Sequence, residues 1–265
     1  MYSFNYHIPK NIDEATTLFE NSNEPKYLAG GMTLVASMKQ RLIAPSDLID
    51  LSKMDTLKSI VVEGKNLKIG ALTTHNSISK SKDIKSTISG LCDLSYGIGD
   101  QSVRNFGTIG GSIANADPAA DWPAAILALK SQIETNMRII NGEEFFKGMF
   151  ETILDEKEII TQISFEIPSY FTYVKFPNPA SRYAIVGIGL SVYDKIARVS
   201  VTGASHTPFR ASEIESALSK NFKIDSIPLN SVSSENLNND IHASAEYRSH
   251  LIDVLTKDAV RTYTQ

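Results

Sequence analysis

Cysteine, basic runs and long apolar segments are all scarce in this 265-residue chain, and each shortage excludes a class of function. A single cysteine, Cys92, cannot close an intrachain disulfide. One thiolate also cannot hold an iron–sulfur cluster, which normally takes four protein ligands. Any cluster chemistry must therefore belong to another chain. Lys and Arg number 26 against 30 Asp and Glu and form no block, so the basic footprint needed on a nucleic-acid backbone is missing. The longest apolar stretches, such as Trp122 to Leu129, fall far short of the roughly 20 residues that cross a bilayer. Polar residues occupy Met1 to Lys10 where a secretory apolar region would lie, which points to a cytoplasmic chain. The 5 histidines lack metal-ligand spacing, so no metal is expected.

What is present is the balance of a folded globular protein, 42% apolar and 21% charged, long enough for one large domain or two to three small ones. The first third alternates strand and helix. Ile12, Ala15 and Phe19 keep helical spacing, Tyr27–Leu28–Ala29 is an extended run closed by Gly30–Gly31, and Leu34, Met38 and Leu42 form a second stripe limited by Pro45. Leu48 to Leu51 reads as the next buried strand. From Leu57 to about Ile167 short strands and turns surround one glycine-rich passage. The alternations Leu67-Ile69-Ala71 and Ile163-Phe165-Ile167 have period two. Pro168, Pro177 and Pro179 mark a boundary. Beyond it Ala184 to Tyr193 and Ile196 to Ala204 form an antiparallel pair turning at Asp194–Lys195. Two helical stripes follow, Ala211-Ile214-Leu218 and Tyr247-Leu251-Val254-Leu255.

Two glycine loops carry the strongest signals. Leu28-Ala29-Gly30-Gly31-Met32-Thr33-Leu34 places backbone N–H groups at a helix start, where a phosphate is favoured, although a tight strand-to-helix turn is the commoner reason for an isolated Gly-Gly. The second, Gly107-Thr108-Ile109-Gly110-Gly111-Ser112, continues through Asp117–Pro118 to Asp121–Trp122–Pro123. Its small residues let backbone approach a long anionic ligand bearing hydroxyls. Asp117 and Asp121 suit either helix capping or acceptance from those hydroxyls. Neither the P-loop nor the dinucleotide glycine fingerprint is present. Tyr96 and Trp122 flank the second loop, with core packing assigned to Trp122, and His75 reads as structural.

The passage from Gly99 to Pro123, with Asp100, Val103, Arg104 and Asn105 ahead of the loop, resembles the FAD-binding medium subunit of molybdenum hydroxylases. This is the flavoprotein family of carbon monoxide dehydrogenase and aldehyde oxidoreductase, to which the flavin domain of xanthine dehydrogenase is similar. Further points of resemblance are Ala29-Gly30-Gly31 with Lys39 and Arg41, Gly70 to His75, Phe145 to Gly148, and Lys175-Phe176 before Tyr183 to Gly187. The resemblance implies an α+β chain. A two-subdomain FAD-binding domain of the vanillyl-alcohol-oxidase (PCMH) type would cover residues 1–168, divided near 53. A smaller C-terminal α+β domain, with an antiparallel sheet and helices, would cover 169–265.

It further implies that Leu28, Ala29, Gly30, Gly31, Met32, Thr33 and Leu34, with Thr108, Ile109, Gly110, Gly111 and Ser112, hold the pyrophosphate and ribityl parts of noncovalent FAD. Asp121 would bond its hydroxyls, and Ile160 and Lys175 would lie near it. Met32 departs from the polar residue common in relatives, leaving its backbone N–H to serve. Substrate would be oxidised at a molybdenum-pterin centre on a large subunit. Electrons would reach FAD through [2Fe-2S] clusters on a small one, in a dimer of heterotrimers. The rivals are a stand-alone flavoenzyme of the same fold, for which the C-terminal part offers no proton donor or substrate-binding arginine set, and a non-enzymatic subunit that has lost FAD, against which the intact loops and Asp121 count. An NAD-dependent dehydrogenase is disfavoured by the missing fingerprint.

Overall fold

The computed structural model describes residues 1–264. Its first unit runs β1 (Asn5–His7), α1 (Ile12–Glu20), β2 (Pro25–Leu28), α2 (Leu34–Lys39) and β3 (Asp47–Asp50), with the strands parallel in the order β1-β3-β2. Asn11 caps α1 by accepting from the Glu14 amide, and Asp13 and Glu14 complement the positive helix start. The α2 stripe is shorter than its spacing suggests. Arg41 takes a left-handed φ of 60° and Leu42 is 71% exposed, so the buried stripe stops at Met38.

The second unit begins with β4 (Ile60–Glu63) and β5 (Asn66–Gly70). Six short helices follow: α3 (His75–Lys80), α4 (Lys82–Thr87), α5 (Gly90–Tyr96), α6 (Gln101–Phe106), α7 (Ile109–Asn115) and α8 (Trp122–Ala128). It closes with β6 (Gln132–Thr135), β7 (Ile139–Asn141), α9 (Gly142–Phe145), β8 (Phe146–Gly148), β9 (Glu151–Thr152) and β10 (Ile160–Glu166). An antiparallel sheet, β4-β5-β10-β6-β7, sets Ile163 opposite Ile69 and Phe165 opposite Leu67, so the two alternating sequence runs are neighbours. The helices over His75–Asn115 correct the reading of this stretch as short strands and turns, while the helix over Trp122–Ala128 follows the expected helix-start residues. Helices of six or seven residues are too short to display a 3.6-residue stripe. Their starts were nonetheless written in the sequence: the side chains of Thr74, Ser81, Asp100 and Thr108 each accept from an amide three residues on.

The last unit holds β11 (Tyr170–Pro177), β12 (Ala184–Tyr193), β13 (Ile196–Thr202) and β14 (Phe209–Arg210), an antiparallel sheet in sequence order, followed by α10 (Ser212–Lys220) and α11 (Ala245–Thr264). The β12–β13 hairpin turns at Asp194 and Lys195, both at positive φ (45° and 78°), which suits the right-handed twist of the paired strands. One face of this sheet packs against α10 and α11 through Val199, Val201, Ile214, Leu218 and Ile252.

The other face receives α8, every residue of which is buried. A helix so enclosed needs partners for the carbonyls at its end. Arg198 donates to the carbonyls of Leu127 (2.8 Å) and Ala128 (3.1 Å), Ser191 to that of Ala128 (2.7 Å) and Ser200 to that of Ala124 (2.6 Å). Thr202 donates to the Ala120 carbonyl at 2.7 Å, just ahead of the helix. Polar residues in otherwise apolar strands thus dock the last unit onto the second. Arg198→Met should lower unfolding free energy by about 2–4 kcal/mol in urea titrations, because buried carbonyls lose their donor. Lys68→Met, which breaks a solvent-screened pair with Glu63, should leave the urea midpoint nearly unchanged.

Candidate functional site

A cleft of about 700 Å³ lies between the β2–α2 loop of the first unit and the helices of the second. Gly30 brings the two sides together. A Cβ at this position would stand 2.0 Å from the Phe106 carbonyl oxygen, so only glycine lets the first loop meet the end of α6. Gly31 follows with φ 71°. Among the described residues no group accepts a hydrogen bond from the amides of Gly30, Gly31, Met32, Thr33 or Leu34, whereas the next amide, Val35, bonds the Gly31 carbonyl at 3.0 Å. Five successive residues that line the cleft therefore have N–H groups without a partner among the described residues, donors of the kind an anion accepts from.

The second loop is built differently. The amides of Ile109 and Gly110 donate to the carbonyls of Thr73 (3.1 Å) and Ala71 (2.8 Å), and Gly111 donates to the Thr108 hydroxyl at 3.1 Å. A Cβ on Gly110 would fall 2.6 Å from that of Ala71, so this glycine serves close packing of α7 against the residue that follows β5. Thr108, Gly110, Gly111, Ser112, Ala114 and Asn115 together give the cleft a smooth wall of small side chains.

Asp121 occupies the N-cap position of α8 but makes no capping hydrogen bond. It is 5% exposed and its carboxylate turns instead to β11, accepting from the Tyr173 hydroxyl at 2.5 Å and from Lys175 Nζ at 3.0 and 3.1 Å. Burial pushes its carboxyl above the usual carboxylate range, while Lys175 and Tyr173 pull the other way. Lys175 Nζ also donates to the carbonyls of Gly97 (2.9 Å) and Arg182 (2.8 Å), tying the end of α5 and the 178–183 turn to the same point. Asp117 caps no helix either; its side chain accepts from the Ala119 amide within a turn.

The structure gathers Ala29 to Leu34, Thr108, Gly110, Gly111, Ser112, Asp121 and Ile160 around one cleft. Three other expected residues do not line it. Leu28 ends β2, Ile109 is wholly buried in the core, and Lys175 stands behind Asp121. Tyr173 and Tyr183 were missed. The alternation Phe171-Tyr173-Lys175 along β11 was the available signal for the first, since period two sets Tyr173 beside Lys175 on one face. His75 also lines the cleft; its Nδ1 accepts from Trp122 Nε1 at 3.1 Å, so the neutral ring carries its proton on Nε2. Trp122 is fully buried, as core packing requires. Among the described residues no cluster of His, Cys, Asp and Glu could hold a metal, and no helix is long and apolar enough to cross a membrane.

The chain is similar to known proteins over most of its length. The family profile of the FAD binding domain in molybdopterin dehydrogenase matches residues 2–169. The glyceraldehyde dehydrogenase medium chain of Sulfolobus acidocaldarius is 32% identical, with 97% of each chain covered. The carbon monoxide dehydrogenase medium chain of Afipia carboxidovorans is 29% identical, with 97% of this chain and 96% of the relative covered. Among solved structures, a chain of the carbon monoxide dehydrogenase from Hydrogenophaga pseudoflava superposes with a TM-score of 0.87 at 27% identity, covering 98% of this chain and 96% of that one.

Burial, helped by the nearby Arg104 charge, holds the His75 imidazole down at about 4 against an ordinary value of 6.5. The unfolded chain then binds the extra proton between these values, so stability is lost as pH falls through the window. Urea titrations at about pH 6.5 and 5 should show His75 contributing ~2 kcal/mol of the decline. His75→Gln, which keeps an acceptor for Trp122, should reduce the decline by that amount.

Proposed function

The chain belongs to the family of FAD-binding domains of molybdopterin dehydrogenases, and from that premise we propose that it is the FAD-carrying electron-transfer subunit of a multi-subunit molybdenum hydroxylase. In this reading it accepts electrons from [2Fe-2S] clusters of a small partner subunit and passes them to a final acceptor, while a large subunit oxidises the substrate at molybdenum-pterin. The complex is a cytoplasmic dimer of heterotrimers of the aldehyde or carbon monoxide dehydrogenase type. Cofactor binding is assigned to residues 1–168, with Ser181, Arg182 and Tyr183 of the C-terminal part also lining the cleft and Lys175 holding Asp121 from behind.

The observation that carries the proposal is the run of free amides from Gly30 to Leu34, set in a cleft whose volume suits a large cofactor. A pyrophosphate supplies the acceptors those donors lack. The small side chains of Thr108, Gly110, Gly111 and Ser112 leave room for a ribityl chain along α7. Asp121 is placed to accept from hydroxyls, and Ile160, which also lines the cleft, offers an apolar contact to a ring system. Bound noncovalently, FAD supplies the redox chemistry, and the protein's part is to hold it, orient it and exclude water. No protein nucleophile is needed. Exposed Phe106 and Phe150 beside the cleft offer a partner chain apolar surface.

The purified complex should be yellow and should release FAD, identified by chromatography, on mild denaturation; a chain that carries no FAD and refuses added FAD contradicts the proposal. Gly31→Ala forces a side chain into the left-handed region and against Val35 and Leu28. It should weaken FAD at least about tenfold, equivalent to ~1.4 kcal/mol, while far-UV circular dichroism stays unchanged.

A further inference from the structure

The Asp121 carboxylate is held in an unusual way, and the residues that hold it have no role in the family resemblance beyond Lys175. An aspartate at a helix N-cap ordinarily accepts from the first-turn amides, worth about 1 kcal/mol. Asp121 forgoes that bond. Its side chain is directed across to β11, where Tyr173 and Lys175 lie two residues apart on one strand face and both reach it. Tyr173 is itself constrained from behind. Gly187 pairs with Lys175 on the adjoining strand, and a Cβ there would stand 2.3 Å from the Tyr173 hydroxyl oxygen and 3.0 Å from its ring. A bare backbone at Gly187 is therefore the condition for the Tyr173–Asp121 bond.

We infer that Tyr173 is a positioning residue of the cofactor cleft: with its ring lying over Gly187, its hydroxyl fixes the orientation of the Asp121 carboxylate that accepts from the cofactor's hydroxyls. The inference rests on the FAD reading given above. Lys175 supplies charge but cannot fix orientation alone, because it spans both carboxylate oxygens and shares its three protons with the carbonyls of Gly97 and Arg182. The tyrosine donates along one direction to one oxygen.

The groups facing Asp121 are Tyr173 and Lys175 from β11 and Tyr183 from the strand-linking turn, with Asp117 close enough to act on Tyr183. Of these, Tyr173 and Lys175 favour the carboxylate over the acid, and burial opposes them. Loss of the Tyr173 hydroxyl therefore both frees the carboxylate and eases its protonation, so cofactor binding should weaken most on the acid side.

The test is FAD titration of the full chain at about pH 8 and pH 6, followed by flavin fluorescence. Tyr173→Phe, which keeps the ring, should weaken FAD about tenfold at pH 8, as expected for a lost hydrogen bond to a charged group. The deficit should be larger at pH 6. Gly187→Ala, which reaches the same hydroxyl from the other side, should reproduce both effects. In an Asp121→Asn background the added pH dependence should vanish, since the group that titrates is gone. A Tyr173→Phe chain that binds FAD as the parent does at both pH values overturns the inference, as does an equal loss at both pH values that persists in the Asp121→Asn background, the signature of a packing role. A parent chain that takes up no FAD overturns the underlying cofactor reading instead.

Discussion

The enclosure of the Trp122–Ala128 helix between two sheets is the constraint on which the rest depends. Its side chains complete the core of the second unit, while Arg198, Ser191 and Ser200 of the last unit supply its carbonyls with donors. A buried helix with unpaired carbonyls would cost several kcal/mol, so the strands that carry those donors are obliged to lie where they do. The same docking brings β11 alongside the start of the helix. Asp121, Tyr173 and Lys175 meet there because the helix is fixed at its far end.

The cleft then follows from two kinds of glycine. Gly30 removes the side chain that would keep the first loop from the end of α6, and Gly110 removes the one that would lift α7 off Ala71. Once both contacts close, the amides from Gly30 to Leu34 have no acceptor among the described residues. A loop entering a helix leaves amides open, and here five successive ones belong to residues that line the cleft. Beside them stands an N-cap aspartate that makes no capping bond. Both features face one cleft, as expected where stability is given up for a ligand.

Much of this was legible in the sequence, and the parts that were not share a physical cause. The hairpin at Asp194–Lys195, the pairing runs around Ile69 and Ile163, and the strand–Gly-Gly–helix passage all carry their signals within a few neighbouring residues. The helix over Trp122–Ala128 was expected from the helix-start residues ahead of it, whereas those between His75 and Asn115 were not placed because six or seven residues make too little periodicity, although Thr74, Ser81, Asp100 and Thr108 announce their starts. Leu42 was assigned to a stripe that ends at Met38, because the left-handed turn at Arg41 has no sequence signature. Tyr173 and the position of Lys175 behind Asp121 depend on contacts across some fifty residues, 52 for the tyrosine and 54 for the lysine, which no local pattern records.

The central claim is that the first loop's free amides receive the cofactor's pyrophosphate. Residue-resolved amide hydrogen exchange of the full chain, with and without saturating FAD, tests it most directly. The account predicts fast exchange from Gly30 to Leu34 in the free chain and at least about tenfold slowing when FAD is bound, against little change at Ile109 and Gly110, whose amides are already bonded within the protein. Retained fast exchange across Gly30 to Leu34 in a chain saturated with FAD would contradict it.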